Sequence, residues 1–373
     1  RTGAEIRQEF IDFFVEQGHT FVPSSSLVPG GDSTLLFTNA GMVQFKDVFL
    51  GTDQRPYSRA VNSQKCLRVS GKHNDLEQVG RDNTHHTFFE MLGNWSFGDY
   101  YKKEAITWAW QLLTEVWELP KDRLWATYFK DEYNEIPEDT EAADIWRGQP
   151  GFDPDHLLSF GRKENFWEMA DTGPCGPDSE IHFDRGPAFC DMADDPDHVC
   201  QVNGECERFL EIWNNVFIQY NRLSETELVT LDKKHVDTGM GFERLVSILQ
   251  NKASNYKTDL FMPLIERVQS LSGDTDQERE ANLTPYRVIA DHARATTFLI
   301  ADGVVPGNVG RNYVCRMLVR RAARFGMKLG LNQPFMAKIA EIVIKEYGNF
   351  YPELKGNEKS ILDNLTREEK QFQ

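Results

Sequence analysis

The chain has 373 residues, of which 40% are hydrophobic and 27% charged, as expected for a globular protein of about two domains. Its apolar runs are too short to span a bilayer, and residues 1–5 contain no apolar signal region. We therefore expect no membrane partner, reduced cysteines and a cytoplasmic location. The net charge of −17 argues against bulk nucleic-acid binding.

The charge is unevenly distributed along the chain. Residues 286–330 contain only two acidic residues but eight basic ones, namely Arg287, Arg294, Arg311, Arg316, Arg320, Arg321, Arg324 and Lys328. Such a segment could bind a polyanion locally while the rest of the protein repels stray nucleic acid. It could also be a solvated helix face, or it could pair with an acidic neighbouring domain.

The first elements are predicted from capping and periodicity. Thr2 and Glu5 form a capping box that begins an amphipathic helix, and Gly18 ends it. The apolar residues 35–37 predict a buried strand, and residues 124–129 predict another. The opening of the chain should therefore be a helix packed beside a sheet.

The remaining elements alternate between sheet and helix. Residues 106–117 predict an amphipathic helix, and the acidic, proline-bearing segment 131–165 predicts a surface insertion. Residues 209–220 predict a strand with both faces buried. From residue 286 onward the pattern is helical, and residues 368–373 carry no helix stop signal, which suggests a chain cut from a longer one.

The segment 236–245, Val-Asp-Thr-Gly-Met-Gly-Phe-Glu-Arg-Leu, predicts a short strand, a glycine turn and a helix with an arginine in its first turn. Because Gly239 and Gly241 present only backbone, a phosphate can approach closely. Arg244 offers a fixed fork of donors to phosphate oxygens, and it stands where a dinucleotide fingerprint would have its third glycine. The alternative is an ordinary glycine cap.

The segment 65–97 has residue types that suit a nucleotide. Arg68 can neutralise a phosphate, and Lys72 and His73 add cationic or donor groups on a glycine-containing loop. Because neighbouring residues of a strand face opposite sides, one of Phe88 and Phe89 can enter the core while the other stacks on a base. The alternative is a basic loop followed by a core strand.

Several motifs, in this order, carry a family resemblance. They are Ser-Ser-Ser at 24–26, Leu-Phe-Thr-Asn-Ala-Gly-Met at 36–42, the segment 65–97, Asp-Thr-Gly-Pro-Cys-Gly-Pro at 171–177, and the segment 236–245. Together they span nearly the whole chain. The chain resembles the catalytic part of the alanyl-tRNA synthetase family, a branch of the class II aminoacyl-tRNA synthetases.

The resemblance implies an α+β fold, with an antiparallel sheet flanked by helices and followed by an all-helical tRNA-recognition domain. It implies a catalytic domain over 1–250 with an insertion near 131–208, and the helical domain over 251–373. It further implies that L-alanine is activated with ATP and Mg²⁺ to alanyl-adenylate. The alanyl group would then pass to the 3′ end of the alanine-specific tRNA, whose acceptor stem is the expected partner.

The resemblance implies roles for the nucleotide-site residues. Arg68 would bind the α-phosphate, Phe89 would stack on adenine and Arg244 would bind the γ-phosphate. With Asp237, the two arginines are the predicted catalytic residues. The predicted ATP site also includes Lys72, His73, Glu77, Gly239 and Gly241. The general class II motif has Arg-x-Glu, whereas here the arginine is followed by Val-Ser, so the adenine-contacting acid stays open with Glu77 as a candidate.

The predicted amino-acid site consists of Trp167, Asn214, Val216, Asp237 and Gly239. By resemblance, Asp237 would fix the alanine ammonium, Asn214 would orient the substrate near its carboxylate, and Trp167 and Val216 would wall the methyl pocket. Alternation supports part of this independently, since Ile212, Asn214 and Val216 should share one face of their strand. Plain core packing is the alternative for Trp167 and Val216.

Cys190, His198, Cys200 and Cys206 have the ligand types for a tetrahedral Zn²⁺ site. They lie in a polar segment with little apolar material for a core, where a metal could hold the loop together. Four protein ligands leave no open position, so a structural zinc is expected rather than a catalytic one. Three reduced surface thiols are the alternative.

The resemblance assigns the basic helix to tRNA, with Arg311, Arg316, Arg320, Arg321 and Arg324 as candidate contacts. The family places editing and oligomerisation in further domains that this sequence lacks, so we expect a monomer that also activates serine and glycine. Three alternatives remain: a non-catalytic tRNA-binding paralogue, an amino-acid adenylating enzyme with another carrier, and an unrelated zinc-stabilised interaction module.

Overall fold

The structure is a computed structural model that describes residues 1–30, 35–70, 73–74 and 76–373. Its strands are β1 (Thr20–Phe21), β2 (Arg59–Leu67), β3 (Val69–Ser70), β4 (His73–Asn74), β5 (Phe88–Phe97), β6 (Leu124–Phe129), β7 (Leu157–Phe160), β8 (Phe166–Glu168), β9 (Gly173–Asp184), β10 (Phe209–Arg222) and β11 (Leu228–Gly241). Its α-helices are α1 (Gly3–Glu16), α2 (Lys46–Phe49), α3 (Lys102–Gln111), α4 (Thr140–Arg147), α5 (Arg162–Asn165), α6 (Phe242–Leu249), α7 (Met262–Ser272), α8 (Asp276–Ala281), α9 (Leu283–Ala301), α10 (Gly310–Lys328), α11 (Met336–Tyr347), α12 (Glu353–Gly356) and α13 (Glu358–Phe372).

Helix α1 begins and ends where the sequence predicts. The Thr2 side chain accepts a hydrogen bond from the Glu5 backbone, and the Glu5 side chain accepts one from the Thr2 backbone. After the helix, Gly18 adopts a φ of +86°, a left-handed conformation that glycine tolerates without steric cost. Phe10 and Phe14 pack on Trp213 of β10, so α1 covers one face of the sheet.

The predicted antiparallel sheet flanked by helices is confirmed. Among the described residues its strand order is β1-β2-β5-β11-β10-β9-β6-β7, with β8 paired to β9. The inner pairs are antiparallel, and the two outer pairs, β1 with β2 and β6 with β7, are parallel. The strands predicted near 124–129 and 209–220 and the helix predicted near 106–117 are all present.

The strand predicted at residues 35–37 is wrong. The segment is irregular, although the Phe37 side chain is buried. The carbonyls of Leu35 and Leu36 accept hydrogen bonds from the Arg311 guanidinium, and not from a neighbouring strand. An apolar run therefore marks burial here without marking a strand.

The segment predicted as a surface insertion is built into the fold. Strand β7 pairs in parallel with β6, and Trp146 of α4 packs edge-on against Trp110 of α3. Strand β9, which falls inside the proposed 131–208 insertion, pairs with both β6 and β10. The domain limits stay a prediction, but residues in this range complete the sheet.

The later helices pack directly on the sheet through α9. Its Phe298 ring stacks on Phe88 of β5 with centroids 4.1 Å apart. At its end, Asp302 accepts two hydrogen bonds from the buried Lys65 ammonium of β2. One continuous core contains side chains from both the sheet and the helices. No described helix is long and apolar enough to cross a membrane.

Candidate functional site

A cavity of about 1390 Å³ lies where β2, β5, β10 and β11 meet. It is lined by most of the predicted site residues, namely Arg68, Phe89, Trp167, Asn214, Val216, Asp237, Gly239, Gly241 and Arg244. Lys72 lies outside the described residues, and only the backbone of His73, in β4, is described. Glu77 lies in an exposed turn and does not line the cavity, so its contact with adenine remains a prediction.

One end of the cavity pairs a cation with an aromatic ring. The Arg68 guanidinium lies 4.9 Å from the Phe89 ring centroid, and its Nε and Nη2 donate to the Asn39 carbonyl at 3.1 and 3.0 Å. Phe88 points to the opposite face and is fully buried against Phe298. The prediction that one of the two rings enters the core is confirmed, and the stacking of Phe89 on a base stays a prediction.

The predicted strand and helix of this segment are present, but the predicted glycine turn between them is wrong: β11 runs through both glycines to Gly241, and α6 begins one residue later. A Cβ on Gly239 would lie 2.8 Å from the Met91 sulfur, so a larger residue would require that side chain to shift. Arg244 donates through Nη1 to the Glu211 carbonyl at 3.0 Å. The arginine is thereby held at the cavity wall.

The Glu211 carboxylate lies near Arg244 at the cavity wall. Burial, with help from neighbouring Glu180, raises the pKa of Glu211 to about 7. Glu180 also accepts hydrogen bonds at 3.0 Å from His182 and from Asn203. This part of the cavity therefore suits a cation, through the Glu211 carboxylate, as well as a phosphate, through Arg244.

The other end of the cavity is built around Asp237. Trp95 Nε1 donates to Asp237 Oδ1 at 2.7 Å. Burial raises the pKa of Asp237 to about 7, and the Trp95 hydrogen bond opposes that rise. Val216 lies directly opposite Asp237 on β10 and packs with Trp167 and Trp95 in a small apolar cluster. This end combines a carboxylate with a small apolar pocket.

A bulge in β10 modifies the predicted alternation. The register with β9 shifts between Glu211 and Trp213, and Ile212 packs in the main core whereas Val216 packs in the small cluster. Ile212 nevertheless lines the cavity together with Asn214 and Val216, so the prediction that the three share one face stays a prediction. Asn214 Oδ1 is buried at the cavity wall with no hydrogen-bond partner among the described residues.

Trp95 and Glu211 are candidate-site residues that sequence reasoning missed, and Trp95 shows why. It faces Asp237 across the β5–β11 pair, a relationship that appears only once the register of two distant strands is known. The sequence did contain one signal for Trp95. It follows Phe89 by six residues, and an even spacing places both side chains on one face of a strand.

Cys190, His198, Cys200 and Cys206 converge, with ligand atoms all within 4.8 Å of one another. The Cys200 sulfur lies 3.7 Å from the Cys206 sulfur and 3.6 Å from His198 Nε2. Two sulfurs at tetrahedral zinc, each at about 2.3 Å, would stand about 3.8 Å apart. A hydrogen bond with Cys190 lowers the pKa of Cys200 to about 7, which favours the thiolate. The four residues fit a structural Zn²⁺ better than unrelated surface thiols.

The basic helix α10 has an acidic partner within the chain. Glu368 of α13 accepts hydrogen bonds from Arg316 at 2.7 Å and from Arg320 at 2.9 Å. Arg324 is exposed, with its guanidinium 5.6 Å from the Phe372 ring. Two of these arginines, Arg316 and Arg320, therefore pair with an acidic residue of the same chain.

The other two candidate arginines also make contacts within the chain. Arg311 donates to the carbonyls of residues 35 and 36. Arg321 Nη1 lies 2.8 Å from His292 Nε2, and His292 Nδ1 lies 2.9 Å from buried Asp291. The binding of tRNA by this helix stays a prediction.

The family model for tRNA synthetases class II (A) matches residues 5–373. Alanine–tRNA ligases from Roseiflexus sp. (strain RS-1) and Chloroflexus aurantiacus are each 54% identical over 371 residues, and that of Chlorobaculum tepidum is 51% identical over 370. These matches cover 99–100% of this chain but 40% of each relative. The chain belongs to the class II (A) family of tRNA synthetases.

Proposed function

We propose that the chain activates L-alanine with ATP and transfers the alanyl group to the 3′ end of the alanine-specific tRNA. The observation that carries the proposal is the presence of Arg68, Asp237 and Arg244 in one cavity. Similar relatives named alanine–tRNA ligases support the choice of amino acid.

In the first step the alanine carboxylate attacks the α-phosphorus of ATP, and pyrophosphate leaves. Positioning and charge neutralisation dominate such a reaction, because little covalent chemistry is asked of the protein. Arg68 would face the α-phosphate while Phe89 carries the base, and Arg244 would bind the γ-phosphate. Bound Mg²⁺ would neutralise phosphate charge, and Glu211, whose ionised form a cation would favour, is the carboxylate that would hold it.

Asp237 would bind the alanine ammonium, with Val216 and Trp167 around the methyl group and Asn214 toward the carboxylate. A pocket gains only about 1–3 kcal/mol from one methyl group, and a small pocket also rejects an added hydroxyl weakly. We therefore propose that glycine and serine are activated at a detectable level.

Three further assignments belong to the same proposal. The exposed part of α10 around Arg324 would contact the tRNA acceptor stem, and the Cys-His cluster would hold Zn²⁺. The six cysteines are free, which suits a reducing cytoplasm. The monomeric state stays a prediction that sedimentation can test.

A non-catalytic tRNA-binding paralogue is the competing function, because the basic helix does not require chemistry in the cavity. An adenylating enzyme with another carrier is the second. The family membership disfavours both alternatives, and so does the presence of Arg68, Asp237 and Arg244 together in the cavity wall. A protein with either alternative function would not need all three residues. The zinc-stabilised interaction module is excluded by the family assignment.

The test is alanine-dependent exchange between ATP and pyrophosphate, with Arg68→Ala and Asp237→Asn beside the parent protein. We expect exchange in the parent and a loss of at least about 100-fold in each variant. Lys359→Ala, on the exposed face of α13, is the control that should match the parent. A folded, zinc-replete parent without exchange would favour the non-catalytic paralogue, and exchange without alanylation of tRNA would favour another carrier.

A further inference from the structure

Trp95 and Asp237 form a buried cross-strand pair on the face of the sheet that lines the cavity. They lie directly opposite each other on β5 and β11, and the indole Nε1 donates to Oδ1 at 2.7 Å. Trp95 is 0% exposed and Asp237 is 7% exposed. A charge-assisted hydrogen bond of this length in a dry site fixes the carboxylate strongly.

The indole occupies a slot that two glycines make possible. A Cβ on Gly93 would lie 2.3 Å from Trp95 Cη2, and a Cβ on Gly41 would lie 2.8 Å from Cζ2. Phe45 closes the slot, with its ring centroid 4.7 Å from that of the indole. With no space to rotate, Trp95 holds its N–H in one direction, which is toward Asp237.

We propose that Trp95 is the positioning residue for amino-acid recognition: it holds Oδ1 of Asp237 so that the carboxylate meets the substrate ammonium in one orientation. This inference rests on the proposed function, in which Asp237 binds the ammonium. Among the described residues no hydrogen bond reaches Oδ2, so that oxygen is available to the ligand. Trp95 itself does not line the cavity, so it acts through Asp237.

A purely structural role for Trp95 makes a different prediction about pH. Only the ionised carboxylate attracts an ammonium, so alanine recognition should rise with pH through the pKa of Asp237. Burial raises that pKa and the Trp95 bond lowers it, while no charged side chain of the described residues shifts it. Loss of the bond should therefore move the rise to higher pH, whereas loosened packing alone would lower activity equally at every pH.

The groups around Asp237 are largely neutral. Strand β5 presents Trp95 and Met91, β10 presents Asn214 and Val216, and the 3-10 helix Gly41–Phe45 presents Met42. The charged or titratable side chains that line the same cavity are Lys46, Arg68, His85, His86, Arg162, Lys163, Glu164, Glu168, Asp178, Glu211, Glu243 and Arg244. His235, two residues along β11, has a pKa lowered to about 4 by burial, so it does not titrate near neutrality.

The experiment compares Trp95→Phe and Gly93→Ala with the parent in alanine-dependent pyrophosphate exchange from pH 6 to 9. Phenylalanine keeps an aromatic ring but has no donor, and Gly93→Ala keeps the indole but displaces it. We expect KM for alanine to rise about 10-fold or more, KM for ATP to stay within about 2-fold, and the alanine kcat/KM profile to move to higher pH. Equal effects on both substrates with an unmoved profile would overturn the proposal.

Trp146→Phe is the matched control. Its indole is also buried and donates at 2.9 Å, but to Ser179 Oγ away from the cavity. It should change stability and leave both KM values unchanged. An inactive parent would refute the proposed function, whereas an active parent with a Trp95→Phe variant of normal alanine KM would refute only this inference.

A second measurement needs no Trp95 variant to fold. In protein labelled with ¹⁵N-tryptophan, one of the eight indole N–H resonances should titrate near pH 7 and shift on addition of alanine. In Asp237→Asn that resonance should no longer titrate. The inference fails if the parent has no indole resonance that titrates, or if the titration persists in Asp237→Asn, because Trp95 then does not sense this carboxylate.

Discussion

Arg294 Nη1 of α9 lies 2.8 Å from Glu243 Oε2 of α6, and both side chains are buried. Arg294 also donates to the Phe88 carbonyl, and Glu243 accepts from the Glu90 backbone. The pair thus joins the later helices to the helix that carries Arg244 and to the strand that carries Phe89. The two elements that carry the proposed nucleotide contacts are therefore fixed to one buried ion pair.

Arg294→Ala should unfold the protein far more easily. Removing one partner of a buried pair leaves an uncompensated carboxylate, at a cost of about 3–5 kcal/mol. Chemical denaturation followed by circular dichroism measures the change. Arg324→Ala, on the exposed part of α10, should leave the denaturation midpoint unchanged. A small loss in Arg294→Ala would show that the helical layer contributes little to holding the site.

Asp237→Asn should stabilise the protein above neutral pH while abolishing exchange. The folded pKa of Asp237 is raised to about 7, so ionisation disfavours the folded state: stability falls as pH rises from the ordinary carboxyl pKa toward 7 and is level above it. The amide avoids this cost, so its gain over the parent should be about 4 kcal/mol at pH 8.5 and less than half of that at pH 5. Melting curves at the two pH values test it. A stability difference between the variant and the parent that is the same at both pH values would contradict the raised pKa.

Removal of zinc should destabilise the loop around the Cys-His cluster. The purified protein should contain one equivalent of zinc by elemental analysis, and Cys200→Ser should contain about none. Chelation should lower the melting temperature of the parent but not that of the variant. Cys66→Ala, at a buried cysteine outside the cluster, should retain the metal. Parent protein without zinc after metal-replete expression would favour reduced surface thiols.

The arginines of α10 should contribute unequally to tRNA binding. Arg324 is exposed, whereas Arg316 and Arg320 are paired with Glu368. Arg324→Ala should weaken binding and reduce the slope of log K against log salt by about one. Arg316→Ala should reduce the slope less, because its charge is partly neutralised within the chain. Equal slopes for the two variants would mean that tRNA displaces Glu368.

Local patterns in the sequence predicted much of this structure. The capping box at Thr2, the strand near 209–220 and the helix that carries Arg244 follow from capping, alternation and the preceding glycines, all of which act over a few residues. Asp237 and Arg244 could be proposed for the same reason, since one short motif carries both.

Features that depend on distant pairings were not predictable. The irregular segment at 35–37 owes its backbone hydrogen bonds to Arg311, far along the chain, and the bulge near Ile212 depends on the register of β10 with β9. The pairing of Arg316 and Arg320 with Glu368 requires the packing of α10 against α13. Trp95 became visible as a site residue only with the β5–β11 register. In each case the sequence does not show which distant residue contacts the one in question.

The alternation of β5 has a consequence for how this chain can change. Phe89, Met91 and Trp95 face the cavity side, while Phe88, Glu90 and Leu92 face the core and helices. A single-residue insertion or deletion within 88–97 would exchange these two sets beyond the change, exposing core groups and burying site groups. Insertions and deletions among relatives should therefore be absent from this strand and should occur in its flanking loops. The unbroken length of β5 determines which side chains face the cavity.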